Sequence, residues 1–564
     1  MAKPLQSLLV RAPAFEGLNT EDSPLGQNLN FAQSADNAVI DRLGRLGSRL
    51  AFAKDTETIN VTYGDAGNEV VRTDMEVTQI GGGDINGKYI ILCVVKVTQL
   101  DEDGTALQTD YFVCRRDGDT LTELTLPPGI PSASQVGRAK IVYFNDNLYV
   151  FSSGNPSLVY DDATDSMLAM SADPNWLPPQ DDNGTIAAEI DGDIALSAYG
   201  RLWVAGVGYD YNKIYYSDLL IANQWYDGKA TQTDTQNTGG VIDVSEFWPN
   251  GGDRIISLAA HNNFLIVFGR ESILVYANAA SGDPAAADGI FLQDSMMNLG
   301  SVGRDAVVNT GSDVLFVDDS GIRSLSRTIQ EKSVPIGDVS RNVRGDIRRV
   351  IGQADQERIT LSYWPAESVI VCLFPDSAQA FVASANAPSS TGGLKMTKWN
   401  RCFFNKMHYF ENQGVTGIYL AGNTDQNGLL EYTGYTEWND RPFTFKYSSM
   451  PLDFGHPAHD KFLRSIDYTI FSLFEETNAT ARWGYDGNLT RKKAIGIDAL
   501  IPAYYNEATF GDTTFGASGS TIRRYRVNTR GSGSMARIGL DIQILGNEVS
   551  VQEINVQTLL GRIN

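Results

Sequence analysis

The chain has 564 residues, of which 42% are hydrophobic and 20% are charged, and its formal net charge is −23. This length exceeds what one hydrophobic core usually serves, and the composition is that of a folded protein rather than a disordered one. The negative charge argues against tight wrapping of nucleic acid, because such binding depends on lysine and arginine displacing counterions from phosphates.

The N-terminal segment predicts neither export nor membrane insertion. Its apolar stretch, between Lys3 and Arg11, is too short for a secretory signal. No run in the chain reaches the roughly 18 apolar residues of a membrane-spanning helix. We therefore expect a soluble chain that is made in a cytoplasm.

Residues 1–50 contain few strand signals and are interpreted as an N-terminal arm or excursion. Residues 51–435 then repeat a unit made of an apolar strand, a polar turn and a second apolar strand, as in HNNFLIVFGRESILVYANAA at 261–280. The first strands of these hairpins begin near Tyr89, Leu148, Leu202, Phe264, Val314, Val369 and Ile418. A period of roughly 50 to 60 residues is typical of sheets repeated around an axis. The pattern predicts an all-β protein with a β-propeller of six or seven blades, and a pair of β-sandwiches is the alternative.

One segment of this region breaks the strand pattern. In 334–351, VPIGDVSRNVRGDIRRVI, apolar residues recur at four-residue intervals, which predicts a short surface helix with Ser340 and Asp338 as possible caps. Its arginines fall on or near the other face: Arg341, Arg344, Arg348 and Arg349. They form either a solvated face or a contact to a neighbouring acidic subunit or a phosphate backbone.

Residues 436–564 change character and alternate polar and apolar residues with less regular spacing, as in a β-sandwich or jelly-roll. We interpret them as an additional C-terminal β-sandwich-like domain. This region contains a second candidate positive patch, formed by Arg523, Arg524, Arg526, Arg530 and Arg537.

The sequence presents no constellation that selects a chemistry. His456 and His459 have an H-x-x-H spacing, but Pro457 favours a turn over a helix and no cysteine cluster flanks them. The cysteines lie far apart, which predicts reduced core residues: Cys93, Cys114, Cys372 and Cys402. There is no P-loop and no G-x-S-x-G motif. We expect no catalytic, cofactor-binding or metal-binding residues and no enzymatic activity.

Several phrases resemble tail proteins of short-tailed bacteriophages. NAVIDRLGRLGSRLAF at 37–52 looks like their opening phrase, with Arg45, Gly47 and Arg49 in place but without the proline of its basic turn. YGRLWVAGVGYDYNKIYYSDLLIANQWYD at 199–227 is similar to their blades. The hairpin at 261–280, VLFVDDSGIRSLSR and VPIGDVSRNVR look like the middle of the tail nozzle (tubular protein B) family and of the related packaged-DNA stabilisation hubs.

This resemblance, over about residues 35–435, implies a structural virion protein made in the host cytoplasm. Such a subunit forms a hexameric ring below the portal and adaptor, retains the packaged genome, and carries tail fibres or spikes. Double-stranded DNA would pass through the ring without tight binding, and the two arginine groups are candidate contacts between subunits or to partners. The alternatives are a host-recognition or fibre-attachment protein and a propeller-type polysaccharide depolymerase.

Overall fold

The computed structural model describes residues 5–11, 13–25, 28–40, 45–64, 70–128, 139–181, 184–185, 187–225, 238–280, 289–326, 338–412, 414–472, 476–497 and 521–563. Its elements are nearly all strands. The first seven strands are β1 (Leu5–Arg11), β2 (Gly17–Leu18), β3 (Phe31–Asp36), β4 (Ala38–Ile40), β5 (Leu46–Ser48), β6 (Phe52–Lys54) and β7 (Thr58–Asn60).

Seven antiparallel sheets among the described residues follow in chain order and form the blades. Blade 1 contains β8 (Arg72–Ile85), β9 (Lys88–Leu100), β10 (Ala106–Asp117) and β11 (Thr120–Glu123), with β7 added at its outer edge. Blade 2 contains β12 (Ala139–Phe144), β13 (Asn147–Ser152), β14 (Asn155–Asp161) and β15 (Ser166–Ala169). A short ribbon of β16 (Gln180–Asp181) and β17 (Gly184–Thr185) leads to blade 3, which contains β18 (Ile194–Ala198), β19 (Arg201–Ala205), β20 (Lys213–Tyr216) and β21 (Gly240–Asp243).

The remaining blades repeat this order. Blade 4 contains β22 (Ser257–His261), β23 (Phe264–Phe268), β24 (Ser272–Ala277) and β25 (Phe291–Met297). Blade 5 contains β26 (Val307–Asn309), β27 (Val314–Asp318) and β28 (Gly321–Ser324). Blade 6 contains β29 (Thr360–Trp364), β30 (Val369–Phe374), β31 (Gln379–Pro388) and β32 (Leu394–Asn400). Blade 7 contains β33 (Phe404–Asn412), β34 (Val415–Gly422) and β35 (Leu429–Tyr432), and takes β6 as its fourth strand.

The seven blades close into a ring. The first strand of each blade contacts the first strand of the next, and β33 of blade 7 returns to β8 of blade 1. The last blade is completed by β6, which precedes blade 1 in the chain, so the two ends of the propeller are joined by strand pairing. The fold is therefore all-β with a β-propeller, and the number of blades, predicted as six or seven, is seven.

The hairpins read from the sequence are the second and third strands of the blades. In blade 4, Phe264–Phe268 pairs with Ser272–Ala277, and both strands are buried along almost their whole length. Strands packed on both faces lose the alternation of polar residues and become continuous apolar runs. This burial explains why the middle strands of each blade could be recognised.

The last seven strands form a β-sandwich with the N-terminal ones. They are β36 (Phe443–Ser449), β37 (His459–Ser472), β38 (Thr477–Tyr485), β39 (Arg491–Ile497), β40 (Thr521–Asn528), β41 (Ala536–Ile544) and β42 (Val549–Ile563). One sheet has the order β4-β5-β42-β37-β40, with β1 also paired to β42. The other contains β3, β36, β41, β38 and β39 and is continuous with blade 6 through β32.

Residues 1–50, interpreted from the sequence as an arm or excursion, thus supply strands to both sheets of the sandwich. Leu5 lies opposite Leu559, and Ala32 lies opposite Ser449. The chain then leaves the sandwich, and β6 completes blade 7. The N-terminal segment therefore connects the sandwich to the propeller. The boundaries at 50 and 435 stay a prediction.

The helix α1 (Arg344–Ile351) follows the helical turn Arg341–Val343. The other helical turns are Met170–Ala172, Val207–Tyr209, Gln356–Arg358 and Pro375–Ser377. No helix in the described ranges is long and apolar enough to cross a membrane.

Ser340 occupies the N-cap position of the helical turn that precedes α1, but its side chain makes no capping hydrogen bond. The Ser340 hydroxyl instead donates to Asp338 and accepts the amide of Ile322 in blade 5. The N–H of Gly345 is instead satisfied by the Glu21 carboxylate. Local spacing could not reveal this cap, because Glu21 is 324 residues away in sequence.

Candidate functional site

Four charged side chains meet at the centre of the propeller, and we call them the axial ion cluster: Lys140, Arg304, Asp305 and Lys406. Lys140 lies on β12 and Lys406 on β33, at the inner edges of blades 2 and 7. The Asp305 carboxylate receives a hydrogen bond from the Lys140 ammonium at one oxygen. At the other, Lys406 Nζ lies 2.5 Å and Arg304 Nη2 3.2 Å away.

Arg304 and Asp305 also connect blades through their backbone and side-chain bonds. The Arg304 guanidinium donates to the carbonyl oxygens of Ala139 at 2.9 Å and Asp193 at 3.1 Å. The Ser257 hydroxyl donates to the Arg304 carbonyl, and the Asp305 carbonyl accepts the amide of Leu361. These partners belong to, or directly precede, blades 2, 3, 4 and 6, so one dipeptide ties most of the ring together.

The cluster sets the charge states of its members. Burial alone would raise the pKa of Asp305, but the three neighbouring cations overcome it and hold that pKa well below its usual range. Burial lowers the pKa of Lys406 to about 8, an effect that the attraction of Asp305 partly offsets. A carboxylate held ionised in this way cannot serve as a general acid near neutral pH.

Arg304 lines two of the cavities that adjoin the cluster. One, of about 440 Å³, is bounded by charged groups: Glu76, Lys96, Asp355, Glu357, Arg358 and Lys406. Its Glu76 carboxylate accepts from Lys96 Nζ at 2.8 Å and from Asn405 Nδ2 at 3.2 Å. The other, also of about 440 Å³, is lined by the first strands of blades 3 and 4. Spaces of this size suit a small molecule, not a nucleic-acid duplex.

His408 is the buried titratable group next to the cluster. It lies two residues after Lys406, and its Nε2 is 2.9 Å from the Tyr89 hydroxyl. Burial lowers its pKa from 6.5 to about 4, so the ring is neutral at pH 7 and shares one hydrogen bond with the Tyr89 hydroxyl.

This histidine should make the fold sensitive to acid. Between pH 6.5 and 4 the unfolded chain binds a proton at His408 that the folded chain resists, so stability falls as the pH falls. We expect a contribution of about 3 kcal/mol lost between pH 7 and pH 4. His408→Gln, which keeps an acceptor for Tyr89, should reduce this loss in urea unfolding measured at both pH values. Equal losses in the two proteins would contradict the assignment.

The arginines of the helix differ in their surroundings. Arg344 lies 3.7 Å from the buried Asp338 carboxylate, and Arg349 pairs with Asp346 at 2.9 Å on the same helix. Arg341 and Arg348 are exposed, and neither guanidinium makes a hydrogen bond or ion pair within the part of the chain that the structure describes. The opposite face is buried, as the spacing of Val339, Val343, Ile347 and Ile351 predicted.

The C-terminal arginines are largely engaged within the sandwich. Arg526 makes a two-pronged pair with the buried Asp467, at 2.7 and 2.9 Å, and Arg524 lies 3.2 Å from Glu553. Arg523 also has an interaction within the chain. Arg537 donates to Ser448 Oγ at 2.9 Å, and the Arg530 carbonyl accepts from Trp483 and Arg491. Strand β40 therefore presents its positive charge next to carboxylates of its own sheet.

The other residues singled out from sequence are structural. All four cysteines are buried free thiols, as predicted, and burial raises the pKa of each. His456 and His459 are near one another, but His456 contacts Gln6 and His459 contacts the Gly561 carbonyl. Across the described ranges no three His, Cys, Asp or Glu side chains converge to hold a metal ion.

Sequence reasoning missed the axial ion cluster. The only signal was a lone lysine within each of two apolar strands, AKIVYF and FNKMHYFEN, and an Arg-Asp pair before VVN. Because Lys140 is 165 residues from Asp305 and Lys406 is 101 residues from it, no local spacing links them.

Comparison with known proteins gives little beyond the fold. No family model matches the chain, and no curated protein matches it. Among solved structures, the Pan2 WD40 domain of Neurospora crassa is 10% identical, with 68% of this chain and 97% of that chain covered and a TM-score of 0.35. An exo-β-1,3-galactanase of Phanerochaete chrysosporium with galactose is 8% identical, with 90% and 99% covered and a TM-score of 0.25. At these TM-scores neither likeness informs function, and the propeller is established by its own closed ring of sheets.

Proposed function

We propose that the chain is a non-catalytic structural subunit of a short-tailed bacteriophage tail. It would assemble as a ring, a hexamer, that forms a nozzle below the portal-adaptor protein, retains the packaged genome and conducts it during ejection. Tail fibres or spikes would attach to this ring in the virion. The phage assignment comes from the resemblance of residues 35–435 to the tail nozzle family.

The observation that carries the structural role is the axial ion cluster. It ties most of the blades together with buried, mutually satisfied charges, which suits a rigid body better than a reaction centre. The cavities beside the cluster are too small for a nucleic-acid duplex, so DNA would have to pass between copies of the chain rather than through one. A net charge of −23 per chain favours weak contact with a phosphate backbone, as a conduit needs.

Cyclic assembly requires one surface of a subunit to meet a different surface of the next. Arg341 and Arg348 are suited to such a contact because they are exposed, have no partner among the described residues, and lie on an acidic chain. Arg344 is less suitable, because its neighbour Asp338 is buried and needs a compensating cation.

Charge reversal tests this surface. We expect Arg341→Glu with Arg348→Glu to lower incorporation of the chain into particles at least tenfold, and to change how ring assembly depends on salt. Arg349→Glu is the matched control, because it is on the same helix but already pairs with Asp346. Normal incorporation and unchanged salt dependence in the double variant would contradict the contact.

The runner-up functions are host recognition or fibre attachment without catalysis, and a propeller-type depolymerase. The charged cavity with Glu76, Asp355 and Glu357 is the feature that favours a polysaccharide enzyme. A depolymerase would release oligosaccharides from host capsule, and Glu76→Gln would abolish that release. The structural role predicts that neither the wild-type protein nor the Glu76→Gln variant releases oligosaccharides.

A further inference from the structure

An exposed apolar turn on blade 3, residues Asp218–Ile221, is the surface feature that the fold itself leaves unexplained; we call it the leucine turn. Leu219 is 45% exposed, Leu220 58% and Ile221 38%. Three adjacent large apolar side chains in solvent are unusual on a soluble surface and typically mark a contact with another macromolecule.

The leucine turn is built to hold these side chains in place. Leu220 has a φ of +59°, a left-handed conformation that normally favours glycine. Its N–H donates to the Gly200 carbonyl at 2.7 Å, and its carbonyl accepts from Asn145 Nδ2 of blade 2 at 3.0 Å. Asp218 Oδ1 accepts from the amide of Leu219 at 2.8 Å. Leucine is disfavoured at this positive φ, yet three hydrogen bonds hold the turn in place. This combination indicates that the leucine side chain itself is required.

A complementary surface exists on the sandwich. A cavity of about 420 Å³ is lined mainly by apolar groups, including Pro24, Leu25, Pro451 and Met535; we call it the sandwich pocket. Apolar cavities on the order of 150 Å³ already hold a benzene-sized group, so this space accommodates branched side chains. Leu25 is itself 66% exposed and unprotected by the rest of the chain.

A carboxylate flanks the leucine turn, and two guanidinium groups with one carboxylate flank the sandwich pocket. Asp146, adjacent to the Asn145 that bonds Leu220, is exposed beside the leucine turn. Arg537 lines the sandwich pocket, and Arg491 is exposed at the start of β39 close by. The pocket's own carboxylate, Asp486, accepts backbone N–H groups of Ser534 and Met535 and is thereby satisfied.

The two surfaces lie on opposite sides of the subunit. The leucine turn is on blade 3, whereas the sandwich joins the propeller at blade 6 through β32 and β3. Three steps is the largest separation in a ring of seven blades, so one molecule cannot bring them together. We propose that the leucine turn of one copy inserts into the sandwich pocket of the next, forming the heterologous contact that closes the ring. This inference rests on the proposed ring-forming function.

Two variants of Leu220 separate folding from docking. Leu220→Gly suits the positive φ and should leave the thermal unfolding temperature unchanged or higher, yet lower incorporation into rings at least tenfold. Leu220→Asp should have the same effect on assembly. Leu107→Asp, at another exposed leucine on blade 1, is the control and should assemble normally.

Cross-linking tests the pairing directly in assembled particles. The double variant Leu220→Cys with Leu25→Cys should give a disulfide-linked ladder on mild oxidation, whereas each single variant should not. The native thiols do not interfere, because all four are buried. Rings that form without a ladder and tolerate Leu220→Asp would overturn the pairing but leave the proposed function standing. A chain that is absent from every ring would overturn both.

Discussion

Asp305→Asn should destabilise the protein by about 3–5 kcal/mol, because it removes the counter-charge that the buried Arg304 and Lys406 share with the half-buried Lys140. Lys140, Arg304 and Lys406 all direct donors at this carboxylate, and its side chain is only 6% exposed. The neutral amide retains the shape but not the charge, so the loss reports on electrostatics rather than on packing. Urea unfolding at pH 7 would measure it.

A surface aspartate provides the matched control. Asp319 accepts from Arg270 Nη2 at 2.7 Å but is 70% exposed, so Asp319→Asn should cost no more than about 1 kcal/mol. Combining Asp305→Leu with Lys406→Met should cost less than the sum of the two single changes, since Asp305→Leu alone leaves the Lys406 ammonium buried without its counter-charge. If Asp305→Asn and Asp319→Asn destabilise equally, the cluster does not hold the propeller together.

Arg49→Met should cost a similar amount, about 3–5 kcal/mol, at the junction of propeller and sandwich. The Arg49 side chain is fully buried, with Nη2 2.8 Å from the Glu437 carboxylate and Nε 3.1 Å from Asn37 Oδ1. Its guanidinium lies between two rings, 3.9 Å from the centroid of Phe52 and 4.2 Å from that of Phe443. Phe52 is on β6 of blade 7 and Phe443 on β36 of the sandwich, so one residue fastens both bodies.

The loss of stability expected for Arg49→Met has two sources that can be separated, the ion pair with Glu437 and the stacking between the two rings. Glu437→Gln removes the charge pair and leaves the stacking, whereas Arg49→Met removes both and keeps an apolar side chain between the rings. Arg524→Met is the control, because its pair with Glu553 lies at the surface and should contribute less than about 1 kcal/mol. If Arg49→Met lowers the free energy of unfolding by less than about 1 kcal/mol, the junction depends on other contacts.

The basic segment near residue 45 packs against other parts of the chain. Arg45 and Arg49 were part of the phrase that resembles phage tail proteins. In the structure Arg49 is enclosed, and Arg45 stacks over the Phe471 ring at 4.9 Å. Both arginines therefore make contacts within the chain.

The repeating part of the fold could be predicted because its signal is local. Strands such as Ser272–Ala277 are buried along their whole length and stand out as apolar runs. The outer strand of the same blade, Phe291–Met297, alternates exposed and partly buried residues, and the first strand of blade 5 has only three residues. These strands are hard to recognise in the sequence, so the number of blades could be determined only from the closed ring in the structure.

The sandwich and the candidate site depend on contacts that sequence spacing cannot show. Leu5 pairs with Leu559 at the far end of the chain, and Arg49 with Glu437, 388 residues away. The arginines chosen from the sequence were found by their charge alone. That criterion could not separate Arg526, which is paired with Asp467, from Arg348, which has no partner in the described ranges.

We propose that copies of this chain form a ring through which a phage genome passes. The most direct measurement is a cryo-electron-microscopy reconstruction of phage particles purified from cells that produce the chain. We expect six copies of a seven-bladed propeller arranged around a DNA channel below the adaptor, with no DNA inside any single propeller. Recovery of the chain only as a free monomer, absent from particles, would contradict the claim.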